Sequence, residues 1–254
     1  MDKLTVVVLT KDEEKHIADC LGSLAWCSRI LVLDSGSSDH TVEIAEELGA
    51  QIHYRAFDHF GAQRNAAIGL VQTEWLLFID ADERTPPALA AEIQAALQDP
   101  CYDGWFIPTR NYYFGKIVNF GGFYPDYHLR LARAAKIRFD KKQKVHEVPT
   151  LAGKVGFLEE PLIHYCYDNH VELQQAKDRY AKLLAEIHFE KGLKPTYHLL
   201  AAPLLTLFEQ LICKKGFKDG WLGFYISFLW GYYAFEEYRL ARVLWHKHNK
   251  KTDC

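Results

Sequence analysis

The chain has 254 residues, 49% of them apolar and 25% charged, which is the balance of an ordinary folded protein and enough length for one large domain or two modest ones. A net charge of −3 gives no general attraction to nucleic acid, and no nucleic-acid partner is expected. The six cysteines are scattered without a Cys-x-x-Cys pair, which argues against a zinc site or a disulfide framework and suits a reducing compartment.

Residues 4–9, Leu-Thr-Val-Val-Val-Leu, are β-branched and apolar and predict a buried strand. The run is too short for a secretion signal, and Lys11-Asp-Glu-Glu follows at once. Residues 16–24 place Ile17, Leu21 and Leu24 on one helical face. A second strand, 29–33, stops at Asp34-Ser-Gly-Ser-Ser-Asp39, where Ser38 or Asp39 can cap a helix that carries Val42, Ile44, Ala45 and Leu48 and ends at Gly49. Residues 51–55 predict a short third strand and 60–71 a helix with Gln63-Arg64-Asn65. Residues 75–79 form an apolar run of the kind covered on both faces. This β-α-β-α-β-α-β order with short connections predicts a parallel sheet with helices on both faces.

A helix over 87–97 follows, with Thr85 as N-cap and Pro86 at its first position, and Asp99-Pro100 breaks it. Residues 104–108 read as a strand. Residues 111–126, rich in Gly and aromatics, read as a long loop or hairpin, and 127–131 alternates as a strand does. Residues 144–148 and 162–165 are further strand candidates. After about Asp168 the character turns helical: 172–191 is amphipathic, 197–213 is apolar with Pro203 and Glu209, and 221–235 is aromatic and apolar. A polar tail with Arg239, Arg242, Lys247, Lys250 and Lys251 closes the chain. The expected division is 1–167, an α/β domain, and 168–254, a helical region.

The stretch that organises the chain is Trp75-Leu-Leu-Phe-Ile-Asp80-Ala-Asp82-Glu83, a buried strand ending in three acids. In open α/β sheets ligands sit beyond the carboxyl ends of strands. If the strand stays extended, Asp80 and Asp82 leave on the same side. Two close carboxylates repel unless a cation or proton lies between them, and oxygen-only ligands favour Mg²⁺ or Mn²⁺ together with substrate phosphates. Asp-x-Asp therefore reads as a diphosphate–metal clasp, against the plainer reading of a polar strand end. The Asp34–Asp39 loop sits where a doubly wound sheet holds a nucleotide, but a polar turn with a helix cap has the same composition. Neither Gly-x-x-x-x-Gly-Lys-Ser/Thr nor Gly-x-Gly-x-x-Gly occurs, which speaks against P-loop and dinucleotide chemistry.

Val7-Val-Leu-Thr10-Lys-Asp-Glu13-Glu14, Asp34-Ser35-Gly36-Ser37-Ser38-Asp39, Gln63-Arg64-Asn65 and Leu77-Phe-Ile-Asp80-Ala-Asp82-Glu83, in this spacing, resemble glycosyltransferase family 2. Tyr124-Pro-Asp126-Tyr-His128-Leu-Arg130-Leu, Val145-His146-Glu147 and 215–224 are similar to its lipopolysaccharide core β-1,4-glucosyltransferase branch. The resemblance implies a GT-A fold, a Rossmann-like mostly parallel sheet, and inverting transfer from a nucleotide-sugar, expected to be UDP-linked, with a divalent metal, Mg or Mn. The implied acceptor is an envelope glycan or glycolipid. Thr10 and Glu13 would lie against the nucleotide. Asp39 would contact base or ribose with Asp34, Ser35 and Gly36 close by, and Arg64 would reach the base or diphosphate. Asp80 would contact ribose or metal, and Asp82 would be the principal metal ligand. Where the branch commonly has Gln, this chain has His128.

The chemistry needs a base for the acceptor hydroxyl. Glu147 is the first choice and Asp126 the second, with His146 binding metal or orienting the diphosphate. Arg130 and Arg133 can offset diphosphate charge or serve as ordinary strand-end charges. Two other classes are weighed. A sugar-nucleotidyltransferase would carry a Gly-rich basic loop after its first strand, and this loop is acidic without Gly. A non-catalytic scaffold would not need Asp80, Asp82 and Glu147. At the C-terminus, 197–213 and 221–235 fall short of the roughly 20 apolar residues of a spanning helix. Their aromatic crowding and Lys214, Lys215 and Lys218 fit a peripheral contact through 197–251 on the cytoplasmic membrane face, or packing on protein.

Overall fold

The computed structural model describes residues 3–140, 149–193 and 198–252. Two compact units are present, Met1–Arg110 with Asp126–His164, and Asn111–Pro125 with Tyr165–Cys254. The strands in chain order are β1 (Leu4–Thr10), β2 (Ile30–Asp34), β3 (Gln51–Tyr54), β4 (Trp75–Asp80), β5 (Glu83–Arg84), β6 (Gly104–Tyr113), β7 (Lys116–Val118), β8 (Asp126–Arg133), β9 (Ile137–Phe139), β10 (Pro149–Leu151), β11 (Val155–Phe157) and β12 (Leu162–Tyr167). In the first unit α1 (Ile17–Ser23), α2 (Thr41–Glu47), α3 (Phe60–Leu70) and α4 (Pro87–Ala96) connect them.

The main sheet runs β3-β2-β1-β4-β8-β6-β12-β5, with β11 also on β6. β1 to β4 pair in parallel and β8 joins β4 antiparallel, so the sheet is parallel at one end and mixed at the other. Period-two alternation sorts the apolar residues of its centre. Val6, Val8, Val32, Trp75, Leu77 and Ile79 pack with α1, α2 and α4 on one face. Val7, Leu31, Leu33, Leu76 and Phe78 pack with α3 and β9 on the other. A strand with a core on each side has to be apolar throughout, which is why β1 and β4 read as continuous runs.

Three local expectations shift. β4 ends at Asp80 rather than running extended through Asp82, because the Asp80 N–H donates to Glu83 Oε2 at 2.9 Å and the chain turns at Ala81-Asp82. The N-cap of α4 is Pro86 and Pro87 opens the helix, while Thr85 donates its N–H to Ser23 Oγ and keeps its hydroxyl buried without a hydrogen-bond partner. Thr41 N–H and Oγ bind the Asp39 carboxylate, so Asp39 caps the start of α2 from one position further out than an N-cap. The strand candidate at 144–148 lies outside the described residues.

The second unit contains the end of β6, β7 and three helices, α5 (His170–Glu190), α6 (His198–Phe208) and α7 (Gly220–Thr252). The loop-or-hairpin stretch begins as a hairpin: Tyr113 pairs with Lys116 across Phe114-Gly115, both at positive φ, the geometry of a tight two-residue turn. Asn169 caps α5 by accepting the N–H groups of Val171 and Glu172 at 3.0 Å each. α7 runs 17 residues beyond Phe235 to Thr252, because the polar tail is built of good helix formers without Gly or Pro. Tyr113, Val118, Leu173, Ala181, Ile226, Leu229 and Tyr233 form this unit's own core. Among the described residues no helix is long and apolar enough to cross a membrane.

Candidate active site

The chain leaves β1 toward β2 and β3 on one side and returns to β4 on the other. The crevice therefore opens at the carboxyl ends of β1 and β4, with Thr10 in register with Asp34 and Leu9 with Asp80. Two loops rise there and are tied together. The buried Asp34 carboxylate accepts from Thr10 Oγ at 3.2 Å, Gly36 N–H at 2.7 Å, Ser37 N–H at 2.9 Å and Ser37 Oγ. Gly36 has φ +93°, and a Cβ there would stand 3.3 Å from the Tyr54 ring. Asp12 accepts from Ser38 N–H at 2.7 Å, and Asp39 accepts from Glu14 N–H at 3.0 Å. Asp34 and Asp39 thus shape the loop with their own carboxylates.

Gln63, Arg64 and Asn65 take three directions from one turn of α3. Gln63 is buried and donates to Ser35 Oγ at 2.8 Å and to the Arg55 carbonyl at 2.9 Å. Asn65 exchanges hydrogen bonds with the Phe139 backbone at 2.8 and 3.0 Å. Arg64 lies over the Phe78 and Phe139 rings and reaches Asp80 Oδ1 at 3.6 Å.

The acids at the end of β4 have separate environments. Arg130 of β8 donates to Asp80 Oδ2 at 2.9 Å and to Glu83 Oε1 at 2.6 Å. Glu83 is wholly buried, and Arg130 nearly so. Burial opposes ionisation of Asp80, but the guanidiniums of Arg130 and Arg64 outweigh it and hold this carboxyl below the usual range. Burial pushes Glu83 upward against Arg130, with Asp80 adding to the rise. Asp82 faces His164 of β12, whose Nε2 is 3.1 Å from Asp82 Oδ2. Glu13 is pushed up to about 7, first by burial and then by Asp82, Asp39 and Asp80. Asp126 lies 3.0 Å from His128 Nε2, and that hydrogen bond holds its carboxyl down against the opposing effect of burial. The charges of Arg130 and His164 lower it further. Glu147 and His146 lie outside the described residues.

Among the described residues no group of three or more His, Cys, Asp or Glu side chains is set to hold a metal ion. Asp82 with His164 is a two-donor pair, which fits a cation that takes its remaining ligands from phosphate and water. Glu13 is raised first by burial, and the neighbouring Asp82, Asp39 and Asp80 add to the rise. Asp80, bound by two guanidiniums, is a less open ligand than the sequence implied.

The glycosyl transferase family 2 model matches residues 5–160, which contain every one of these side chains except His164. The chain belongs to glycosyl transferase family 2. This glycosyltransferase is 29% identical over 247 residues to the lipopolysaccharide core biosynthesis glycosyltransferase LpsC of Rhizobium meliloti, covering 91% of the chain and 89% of the relative. It is 26% identical over 258 residues to an uncharacterized glycosyltransferase of Rickettsia felis, covering 96% and 90%. Its fold is GT-A: TarS of S. aureus in complex with UDP-GlcNAc superposes with a TM-score of 0.53 at 16% identity, over 98% of this chain and 92% of TarS.

For this family 2 enzyme, sequence reasoning named Thr10, Glu13, Asp34, Ser35, Gly36, Asp39, Arg64, Asp80, Asp82 and Asp126; the described structure ties Thr10 and Gly36 to Asp34, sets Asp34 and Asp80 at the ends of β2 and β4 on either side of β1, and brings Arg64 to Asp80. It missed the partners. From the sequence Arg130 reads as a diphosphate or strand-end charge, and His164 as part of a strand. The sequence held no local signal for Arg130: in an alternating strand a residue between Leu129 and Leu131 points to the opposite face and reads as an outward polar side chain.

Proposed function

We propose that this glycosyltransferase moves a hexose, glucose or a close relative, from a UDP-sugar to a hydroxyl of an envelope glycan or glycolipid of the lipopolysaccharide-core class, inverting the anomeric centre. The observation that carries the reading is the pairing of Asp82 with His164 beside the arginine-bound Asp80, at the carboxyl ends of β1 and β4. LpsC, by its name a lipopolysaccharide core enzyme, supports the acceptor class, and TarS with UDP-GlcNAc is a fold-level precedent for the donor.

Asp82 and His164 would hold Mg²⁺ or Mn²⁺, which when bound neutralises charge on the diphosphate leaving group. The Ser35–Ser38 backbone and Thr10 receive the nucleoside, and Arg64 and Arg130 supply positive charge beside the diphosphate. In the transfer step the acceptor oxygen bonds to the anomeric carbon and the bond from that carbon to the diphosphate oxygen breaks. The hydroxyl proton passes to a carboxylate and UDP departs. Glu147 is our first choice for that carboxylate. Asp126 is the weaker proton acceptor, since His128 holds its carboxyl down. His146 lies beside Glu147 in sequence and is proposed to orient the diphosphate or join the metal. We place the reaction on the cytoplasmic face of the membrane that carries the acceptor.

The test is UDP release from a panel of UDP-sugars, with and without acceptor, with Mn²⁺ or with chelator. Metal-dependent release from one sugar supports the reading. Full activity in chelator overturns the metal assignment, and no release from any UDP-sugar overturns the donor class.

A further inference from the structure

The second unit carries a surface that the transfer chemistry does not use. In α7 the side chains of Ile226, Leu229 and Tyr233 are buried, whereas Trp221, Phe224 and Phe228, at helical spacings of three and four, are exposed. In α6 Leu204, Leu205 and Phe208 are exposed as well. The exposure is extreme: 83% for Trp221 and 68% for both Leu204 and Phe228. The two helices touch, for a Cβ at Gly231 would lie 3.0 Å from the Pro203 carbonyl and 3.3 Å from Leu207 Cβ. Scattered apolar side chains are normal on a surface, but two runs on packed helices make a patch, and patches of this kind mark contact with a partner or a membrane.

The turn between the helices adds charge. Lys214, Lys215 and Lys218 are all exposed. Glu209 is the exposed acid of this segment, and Lys214 already pairs with it at 2.9 Å. The Asp219 carboxylate is turned inward, accepting the N–H groups of Asn119 and Phe120 at 3.0 and 2.8 Å. Lys215 and Lys218 thus leave the patch positive in a chain of net charge −3.

We infer that the α6–α7 hairpin docks on an anionic phospholipid surface, with its aromatic and leucine side chains at headgroup depth and its lysines among the phosphates. This deepens the membrane placement proposed above and does not depend on which sugar is transferred. Charge selects the occupant. Anionic headgroups complement Lys215 and Lys218, at about 1 kcal/mol per cation near the surface. A second copy packing the same patch on itself would instead bring like charges together with no free acid in the patch to pair them. Trp and Phe beside Lys is the chemistry of the water–lipid boundary. No helix among the described residues crosses, so the contact is peripheral.

The experiment is co-sedimentation of the full chain with vesicles of phosphatidylcholine and phosphatidylglycerol, and with phosphatidylcholine alone, at low and high salt. The comparison is the double variant Trp221→Ser with Phe228→Ser, both exposed positions. The expected result is binding to the anionic vesicles that weakens with salt, falls about ten-fold or more in the variant, and leaves UDP release in solution unchanged. Equal binding by the variant overturns the assignment of this surface. Binding to neutral vesicles as strong as to anionic ones overturns the role of the lysines. Failure to bind any vesicle, with a concentration-dependent dimer that the variant dissolves, assigns the patch to self-association. Vesicle binding in a chain that releases UDP from no donor would sink the transfer reading and leave this surface standing.

Discussion

Arg130 stands between Asp80 and Glu83, 2.9 Å from one carboxylate and 2.6 Å from the other. A single buried guanidinium thus fixes the acid that ends β4 and the acid three residues on, across the turn that carries Asp82. Arg130→Met leaves Glu83 buried without its cation, and removing one partner of such a pair costs about 3–5 kcal/mol. At about 2–4 °C per kcal/mol for a chain of this size, thermal melting should fall by roughly 6–20 °C. Arg130→Lys should recover only part of the loss, because one ammonium cannot span both carboxylates as the planar fork does. A melting temperature unchanged by Arg130→Met would show that the pair holds nothing together.

Asp82→Asn removes the charge opposite His164 while leaving the turn intact. Its melting temperature should stay within about 4 °C of the parent, while metal-dependent UDP release should drop about a hundred-fold or more. His164→Ala should shift the metal concentration needed for half-maximal activity upward by about 10–100-fold. Near-parental turnover by Asp82→Asn would remove Asp82 from the site.

Glu147→Gln should bind the donor normally and lose transfer by about 10²–10⁴-fold, because an amide cannot take the acceptor proton. Asp126→Asn should be milder. The reverse order of effects would make Asp126 the base.

Glu13 links the site to pH. Its carboxyl is raised from the ordinary 4.5 to about 7 in the folded chain. Between these values the folded protein keeps a proton that the unfolded chain has released, so this group's contribution to stability is present below pH 4.5 and is lost as pH rises through 7. Glu13→Gln should flatten that slope in urea titrations. Cation binding at Asp82 favours the ionised Glu13, so Mn²⁺ uptake with UDP at pH 6.5 should release a proton, seen in calorimetry as a heat that depends on the buffer. A buffer-independent heat would remove Glu13 from the linkage.

The parallel half of the sheet was legible because β1, β2 and β4 must be apolar on both faces, and such runs are visible in any window of the sequence. The ion pairs were not. Arg130 meets Glu83 through the pairing of β4 with β8, and His164 reaches Asp82 because β12 lies antiparallel to β5, with His164 opposite Glu83. Neither fact is contained in local spacing. The end of α7 was misread as a tail because its polarity masks a helix whose support comes from neighbours: Trp245 donates to the Leu193 carbonyl at 2.8 Å.

Asp34 and Asp12 order the loop after β2 in the free chain, since the N–H groups of Gly36, Ser37 and Ser38 already donate to their carboxylates. A loop ordered in advance has little conformational entropy left to lose when a ligand lands on it. Those amides should therefore exchange slowly with deuterium in the free enzyme. If the loop receives the nucleoside as proposed, Asp34→Ala should weaken UDP binding by dissolving that rigidity, without removing a group that touches the ligand.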